Sequence, residues 1–172
     1  MEEFTEILQA ATAAIEQKYF HLPIHGLDPI YRERVYCYEL YHQMRLLWPN
    51  SRYTLNGEVD KRSHPYFADG GAPKPDFIVH LPGEGDNYAV MEVKPSHAAD
   101  DGIHKDIETL ARFRRDIGYQ RAIYLVYGTD APTTMEKALK YAQGLDVPIE
   151  FWLHPKVGAP AFQVPISEGA ST

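Results

Sequence analysis

Hydrophobic residues recur at helical spacing over residues 3–19, where Phe4, Ile7, Leu8, Ala11, Ile15 and Tyr19 fall on one side of a predicted amphipathic helix. Pro23, Gly26 and Pro29 then interrupt the chain. A second helix is predicted over about residues 30–48, ending before Pro49. Residues 52–60 read as a first strand, and residues 64–75, rich in Gly, Pro and Asp, as a loop. The period then changes from helical to alternating. Residues 75–80 and 88–94 are rich in β-branched and aromatic side chains, and Pro82, Gly83 and Gly85 lie between them, which predicts an antiparallel hairpin. Residues 101–117 return to helical spacing, with Ile103, Ile107, Leu110, Ala111 and Phe113 on the apolar side and Gly118 as the stop. Residues 121–127 form a nearly continuous apolar run, as expected of a strand covered on both faces. A helix over residues 133–143, capped by Thr133 or Thr134 and stopped at Gly144, and a last strand over 148–153 complete the pattern. A tail from Ser167 is expected to be disordered.

The predicted order is helix, helix, three strands, helix, strand, helix, strand. A hairpin followed by alternating helices and strands implies a mixed central sheet with helices on both faces, a three-layer α/β/α sandwich with an extra N-terminal helix. The length of 172 residues suits a single domain, taken as residues 1–166 with its core at about 30–153 and the tail at 167–172.

Composition narrows the function. Hydrophobic residues make up 44% and charged residues 24%, as in soluble globular domains. No apolar run approaches the ~18 residues of a membrane span. The acidic start, with Glu2, Glu3 and Glu6, is the opposite of a secretory signal, and the single cysteine, Cys37, excludes an internal disulfide, so a reducing cytoplasm is expected. A net charge of −7 argues against a broad, non-specific nucleic-acid binder but leaves room for an enzyme with a local basic patch. The eight histidines lack zinc-ligand spacing, and no glycine-rich segment has the strand-to-helix context of a phosphate loop.

The hairpin carries the most specific chemistry. Side chains alternate along a strand, so Asp76, Ile78 and His80 share one face, and Tyr88, Val90, Glu92 and Lys94 share a face of the next strand. A hairpin centred near Glu84 sets Asp76 directly across from Glu92. Like charges in that relation destabilise a sheet, so a cation is expected between them. Mg2+ or Mn2+ suits two carboxylates, with the backbone carbonyl of Val93 as a third oxygen. A metal ion would render a water acidic enough to attack a phosphodiester, and Lys94 would orient that water, take its proton or stabilise charge on the phosphate. The competing reading is a solvated hairpin face whose Glu92 and Lys94 make only surface contacts.

Pro75 and Asp76, followed in the next strand by Glu92, Val93 and Lys94, resemble the signature of the PD-(D/E)XK nuclease superfamily, to which restriction endonucleases and Holliday-junction resolvases belong. The core of that family (helix, three strands, helix, strand) is similar to the order predicted over residues 30–127. The resemblance implies a restriction-endonuclease-like fold and a metal-dependent endonuclease or exonuclease that hydrolyses phosphodiester bonds, in DNA rather than RNA. It implies Asp76 and Glu92 as ligands of Mg2+ or Mn2+ and Lys94 as the catalytic lysine.

Many members add a glutamate on the first core helix. Glu33 is preferred, because it falls on the apolar side with Cys37, Leu40 and Met44, where a charge must be paired or bind a metal. Glu39, at the margin with Gln43 and Arg32, is its rival. Arg112, Arg114, Arg115 and Arg121, with Arg45, Arg52, Lys61 and Arg62, are candidates for a phosphate-contacting rim, an ordinary solvated helix face being the alternative, and Lys105, which begins the same helix, is a candidate to reach the site. The alternative function is a catalytically inactive member of the fold, a binding or regulatory subunit of a larger complex. A homodimer or a multi-subunit assembly suits so small a domain.

Overall fold

The computed structural model describes residues 3–59 and 73–165. Helix α1 (Phe4–Ala14) buries Phe4, Ile7, Leu8 and Ala11, the stripe its periodicity predicts, and the short α2 (Gln17–Phe20) follows. Strands β1 (Leu22–Ile24) and β2 (Leu27–Ile30) then form a small antiparallel hairpin that the sequence did not suggest. Three- and four-residue strands that each contain a proline carry too little alternation to be read. Helix α3 (Glu33–Leu46) therefore begins after that hairpin rather than at residue 30.

Strands β3 (Thr54–Gly57), β4 (Phe77–His80) and β5 (Asn87–Pro95) precede α4 (Asp100–Arg112), which widens into a π-helical turn, Phe113–Ile117. Gly118, at φ 81°, ends that turn in the left-handed conformation, where glycine carries no Cβ penalty. Strand β6 (Arg121–Tyr127), helix α5 (Ala131–Tyr141) and strands β7 (Glu150–His154) and β8 (Phe162–Gln163) complete the chain. Pro132 lies in the first turn of α5. Thr134, expected as a cap, is instead buried in the helix and accepts a hydrogen bond from the His97 N–H at 3.2 Å.

The protein is a mixed α/β structure with a six-stranded sheet in the order β3-β4-β5-β6-β7-β8. β3, β4 and β5 are antiparallel neighbours, β5, β6 and β7 are parallel, and β8 is antiparallel to β7. One core packs α1, α2 and α3 against Phe77, Val79, Ala89, Met91, Val93 and Leu125. A second packs α4 and α5 against Ile78, Val90, Tyr124, Val126 and Phe151. Alternate residues of each central strand thus serve opposite helical layers, which is why β6 reads as an unbroken apolar run. Among the described residues no helix is long and apolar enough to cross a membrane.

The hairpin register is Phe77 with Met91, Ile78 with Val90 and Val79 with Ala89, which places Asp76, one step before β4, across from Glu92. A bulge follows, because His80 pairs with Asn87. The extra residue corrects one expectation. Tyr88 does not share the face of Val90, Glu92 and Lys94 but packs edge-on against Phe4 at 6.0 Å and near Tyr53 at 5.5 Å, on the α1 side. Asp60, Lys61, Arg62, most of the predicted loop at 64–75 and the tail from Ser167 lie outside the described residues.

Candidate functional site

Strand β4 starts at Phe77, so the last residues of β5 run past its paired length on that side. A strand N–H left there needs another acceptor. Asp76 supplies it: the Val93 N–H donates to Asp76 Oδ2 at 2.7 Å. The Asp76 backbone is held as well, because its carbonyl accepts the Glu58 N–H at 3.1 Å. Glu92 sits beside it, 6% exposed.

Lys94, one alternation further along β5, is largely enclosed. Its Nζ lies 2.9 Å from Glu33 Oε2, in the first turn of α3, and 2.9 Å from Asp106 Oδ2, on α4. The contact with Glu33 is also a well-directed hydrogen bond, whereas that with Asp106 is a close ion pair of poorer alignment. One ammonium therefore ties the central strand to both helical layers. Pro73, Lys74, Lys105 and Thr109 join these five residues around a cavity of about 200 Å³. Glu92 and Lys94 are enclosed by protein, which excludes the reading of a solvated hairpin face.

Burial dominates the ionisation of the cluster. It pushes the Asp76 carboxyl up to about 7, against the opposing hydrogen bond from Val93. Burial, and then the charge of Asp76, holds Glu92 well above the carboxylate range. Asp106 is raised by burial despite the attraction of Lys94. Burial alone would lower Lys94, but Asp106 and Glu33 outweigh it and keep the ammonium charged. The site thus holds an ion-paired half, Glu33–Lys94–Asp106, and a half in which burial raises both Asp76 and Glu92.

The second half is where a hard cation fits. A divalent ion would offset the burial and the repulsion that raise both carboxyls. The N–H and C=O of one strand residue point to the same side, so the Val93 carbonyl is directed to the edge where Asp76 sits. Among the described residues no group of three or more His, Cys, Asp or Glu side chains forms a ready cation cage. Mg2+ does not require one, since it is commonly held by one or two carboxylates, with waters and substrate phosphate oxygens completing its shell.

Of the two candidate glutamates, Glu33 reaches the site and Glu39 does not, because Glu39 accepts a hydrogen bond from Gln43 at 2.7 Å along the same helix. Glu33 is partly exposed, not sunk in the apolar face. Lys105 lines the cavity. The expected arginine rim is corrected. Arg121 begins β6 and pairs with Glu150, Arg52 pairs with Asp86, Arg114 donates to the Tyr119 carbonyl, and Arg115 pairs with Asp146. All four lie at the end of the sheet where β5 and β6 begin, opposite the Glu92–Lys94 end. Arg112, in the last turn of α4, lies about two turns beyond Lys105, and Arg45 is exposed in the last turn of α3. Their grouping reflected nearness in sequence, whereas α4 carries its two ends to opposite ends of the sheet.

Asp106, Lys74 and Thr109 were not foreseen. Asp106 carried a readable signal: it falls within the stripe of Ile103, Ile107 and Leu110, an acid on an apolar face, the same feature that singled out Glu33. His80 and His97 stand outside the cavity, His80 bonded to Asn56 at 3.0 Å and His97 paired with Asp130 at 2.9 Å. Comparison with known proteins finds no matching family model, no matching curated protein and no matching solved structure.

Proposed function

We propose that the protein is a metal-dependent nuclease of the PD-(D/E)XK type, with a restriction-endonuclease-like core, that hydrolyses phosphodiester bonds in nucleic acid, DNA in preference to RNA. The observation that carries this reading is the convergence of Asp76, Glu92 and Lys94 at the free end of β5, with Glu33 brought to Lys94 from α3.

Asp76, Glu92 and the Val93 carbonyl would hold Mg2+ or Mn2+, whose chemistry there is Lewis acidity toward a phosphoryl oxygen and a water. Lys94 holds its positive charge beside the carboxyls and stabilises negative charge that develops on the phosphate. Glu33, the more exposed partner of Lys94, orients the ammonium and is open to take a proton from an attacking water. Lys105 and Lys74, on the cavity wall, attract the phosphate backbone. The test is incubation of the purified protein with single-stranded, duplex and branched DNA and with RNA, in Mg2+ and in Mn2+. Cleavage that disappears in Asp76→Ala and Lys94→Ala is expected; no cleavage of any form overturns the reading.

A second reading, a catalytically inactive binding or regulatory subunit of the same fold, is favoured by the net charge of −7 and by a lysine already paired with two of the four acids. Metal titration separates the two. A nuclease gains thermal stability with Mg2+ or Mn2+ in a manner abolished by Asp76→Asn, whereas the inactive subunit gains none.

A further inference from the structure

A second cleft, of about 400 Å³, opens on the other side of Asp76, between α3 and the β3–β4 edge. Asp76 lines both the cleft and the acid cavity, so a chain presented to the acids continues into the cleft past one side chain. The cleft walls are aromatic and polar. Tyr41 lies nearly parallel to Phe77, at 9°. Tyr38 is 62% exposed and makes no ring contact among the described residues. Large exposed aromatic rings beside a polar groove are the usual platform for a planar ligand.

The polar lining says which planar ligand. Asn56 also lines the cleft, and its Oδ1 accepts from His80 Nε2 at 3.0 Å. Glu58 supplies an acceptor, with only a half-exposed ion pair to Arg34 at 3.3 Å. Glu58 also sits at φ 47°, a left-handed conformation costly for a residue with a Cβ. No lysine or arginine is among the described lining residues and Glu58 repels a phosphate, so the group that enters the cleft is not the backbone. A flat ring with a polar edge, attached to a phosphate that sits at the neighbouring acids, is a nucleobase.

We propose that this cleft is a nucleobase pocket, which holds one unpaired base beside the phosphate presented to Asp76, so that the substrate has single-stranded character at the cut. A base within a duplex is stacked and paired and could not enter. The proposal rests on the nuclease reading for the place of the phosphate, but base binding is measurable without cleavage.

The test is the anisotropy of a short fluorescein-labelled single strand, in EDTA and again in Ca2+, with wild type, Tyr38→Ala and Tyr38→Phe. Because Tyr38 is exposed, its variants should fold normally, which far-UV circular dichroism checks. Tyr38→Ala is expected to weaken binding roughly 5- to 100-fold, as loss of one stacked base does, and Tyr38→Phe to restore it. A strand carrying an abasic position should bind wild type more weakly by a similar factor and lose nothing further in Tyr38→Ala. Wild type that binds no single strand in either buffer, or equal binding by wild type and Tyr38→Ala, overturns the pocket. Metal-dependent cleavage of duplex and single strand alike, unaffected by Tyr38→Ala, overturns the pocket and leaves the nuclease reading standing. Tyr38-dependent binding without any cleavage does the reverse.

Discussion

The Val93 N–H donates to Asp76 Oδ2 at 2.7 Å, so the acid at the head of β4 is clamped to the backbone of β5 where the ladder between the strands stops. Glu92 and Lys94 flank Val93 in sequence, so this one bond sets the distance between the acid of one strand and the acid and lysine of the other.

Asp76 is therefore expected to separate stability from activity. Asp76→Ala leaves the Val93 N–H without its acceptor and should cost about 1–3 kcal/mol in chemical denaturation. Asp76→Asn keeps an oxygen acceptor and removes a poorly solvated charge, so it should fold at least as stably as wild type while losing cleavage. Equal stability of the Ala variant and wild type would show that the clamp contributes nothing.

Lys94→Met should destabilise by about 3 kcal/mol at pH 8, because it leaves Asp106 buried and charged with Glu33 nearby. The cost should shrink as pH is lowered toward 5, because burial raises the Asp106 carboxyl and protonation removes its unpaired charge. Adding Asp106→Leu should recover stability without restoring cleavage. Urea melts of the single and double variants at the two pH values check this.

Glu33 and Glu39 should behave differently. Glu33→Gln loses the charge that faces Lys94 and should lower cleavage at least 10-fold, whereas Glu39→Gln disturbs only its bond to Gln43 and should leave the rate near wild type. Rates on the best substrate at saturating Mg2+ decide it.

Two buried groups give opposite pH slopes. Asp76 titrates near 7 in the folded protein and near 4 when unfolded, so between those values the folded state holds the extra proton and stability falls as pH rises. His154, bonded through Nδ1 to the Tyr36 hydroxyl at 2.8 Å, is lowered by burial to about 4. Between about 4 and 6.5 the unfolded state holds the extra proton, so stability is lost as pH falls. Asp76→Asn should steepen the rise of stability with pH, and His154→Gln should flatten it, by up to about 1.4 kcal/mol per pH unit for each group. Denaturation at intervals from pH 4 to 8 reads both slopes.

Mg2+ should compete with protonation of Asp76 and Glu92, whose carboxyls burial raises. Its apparent affinity, followed by the rise in melting temperature, should increase from pH 6 to pH 8 in wild type and be absent in Asp76→Asn. An affinity independent of pH would place any bound ion elsewhere.

The pairing of Asp76 with Glu92 was legible along the chain because strand side chains alternate and the turn residues between the strands limit the register. The side of Tyr88 was not, because a bulge costs one residue and leaves no mark in an alternating pattern. Helices α1, α3, α4 and α5 were legible from their apolar stripes. Strands β1, β2 and β8 were not, being too short to show a period.

Local periodicity alone thus sufficed for the helices, the central strands and the acid-x-lysine face of β5, since each depends on residues a few positions apart. The meeting of Lys94 with Glu33 and Asp106, the exclusion of Glu39, the dispersal of the arginines and the cleft behind Asp76 arose only when the helices docked on the sheet. Those contacts join residues far apart in the chain, and the direction in which a helix crosses a sheet is decided by the packing of both cores together, not by any one segment's pattern.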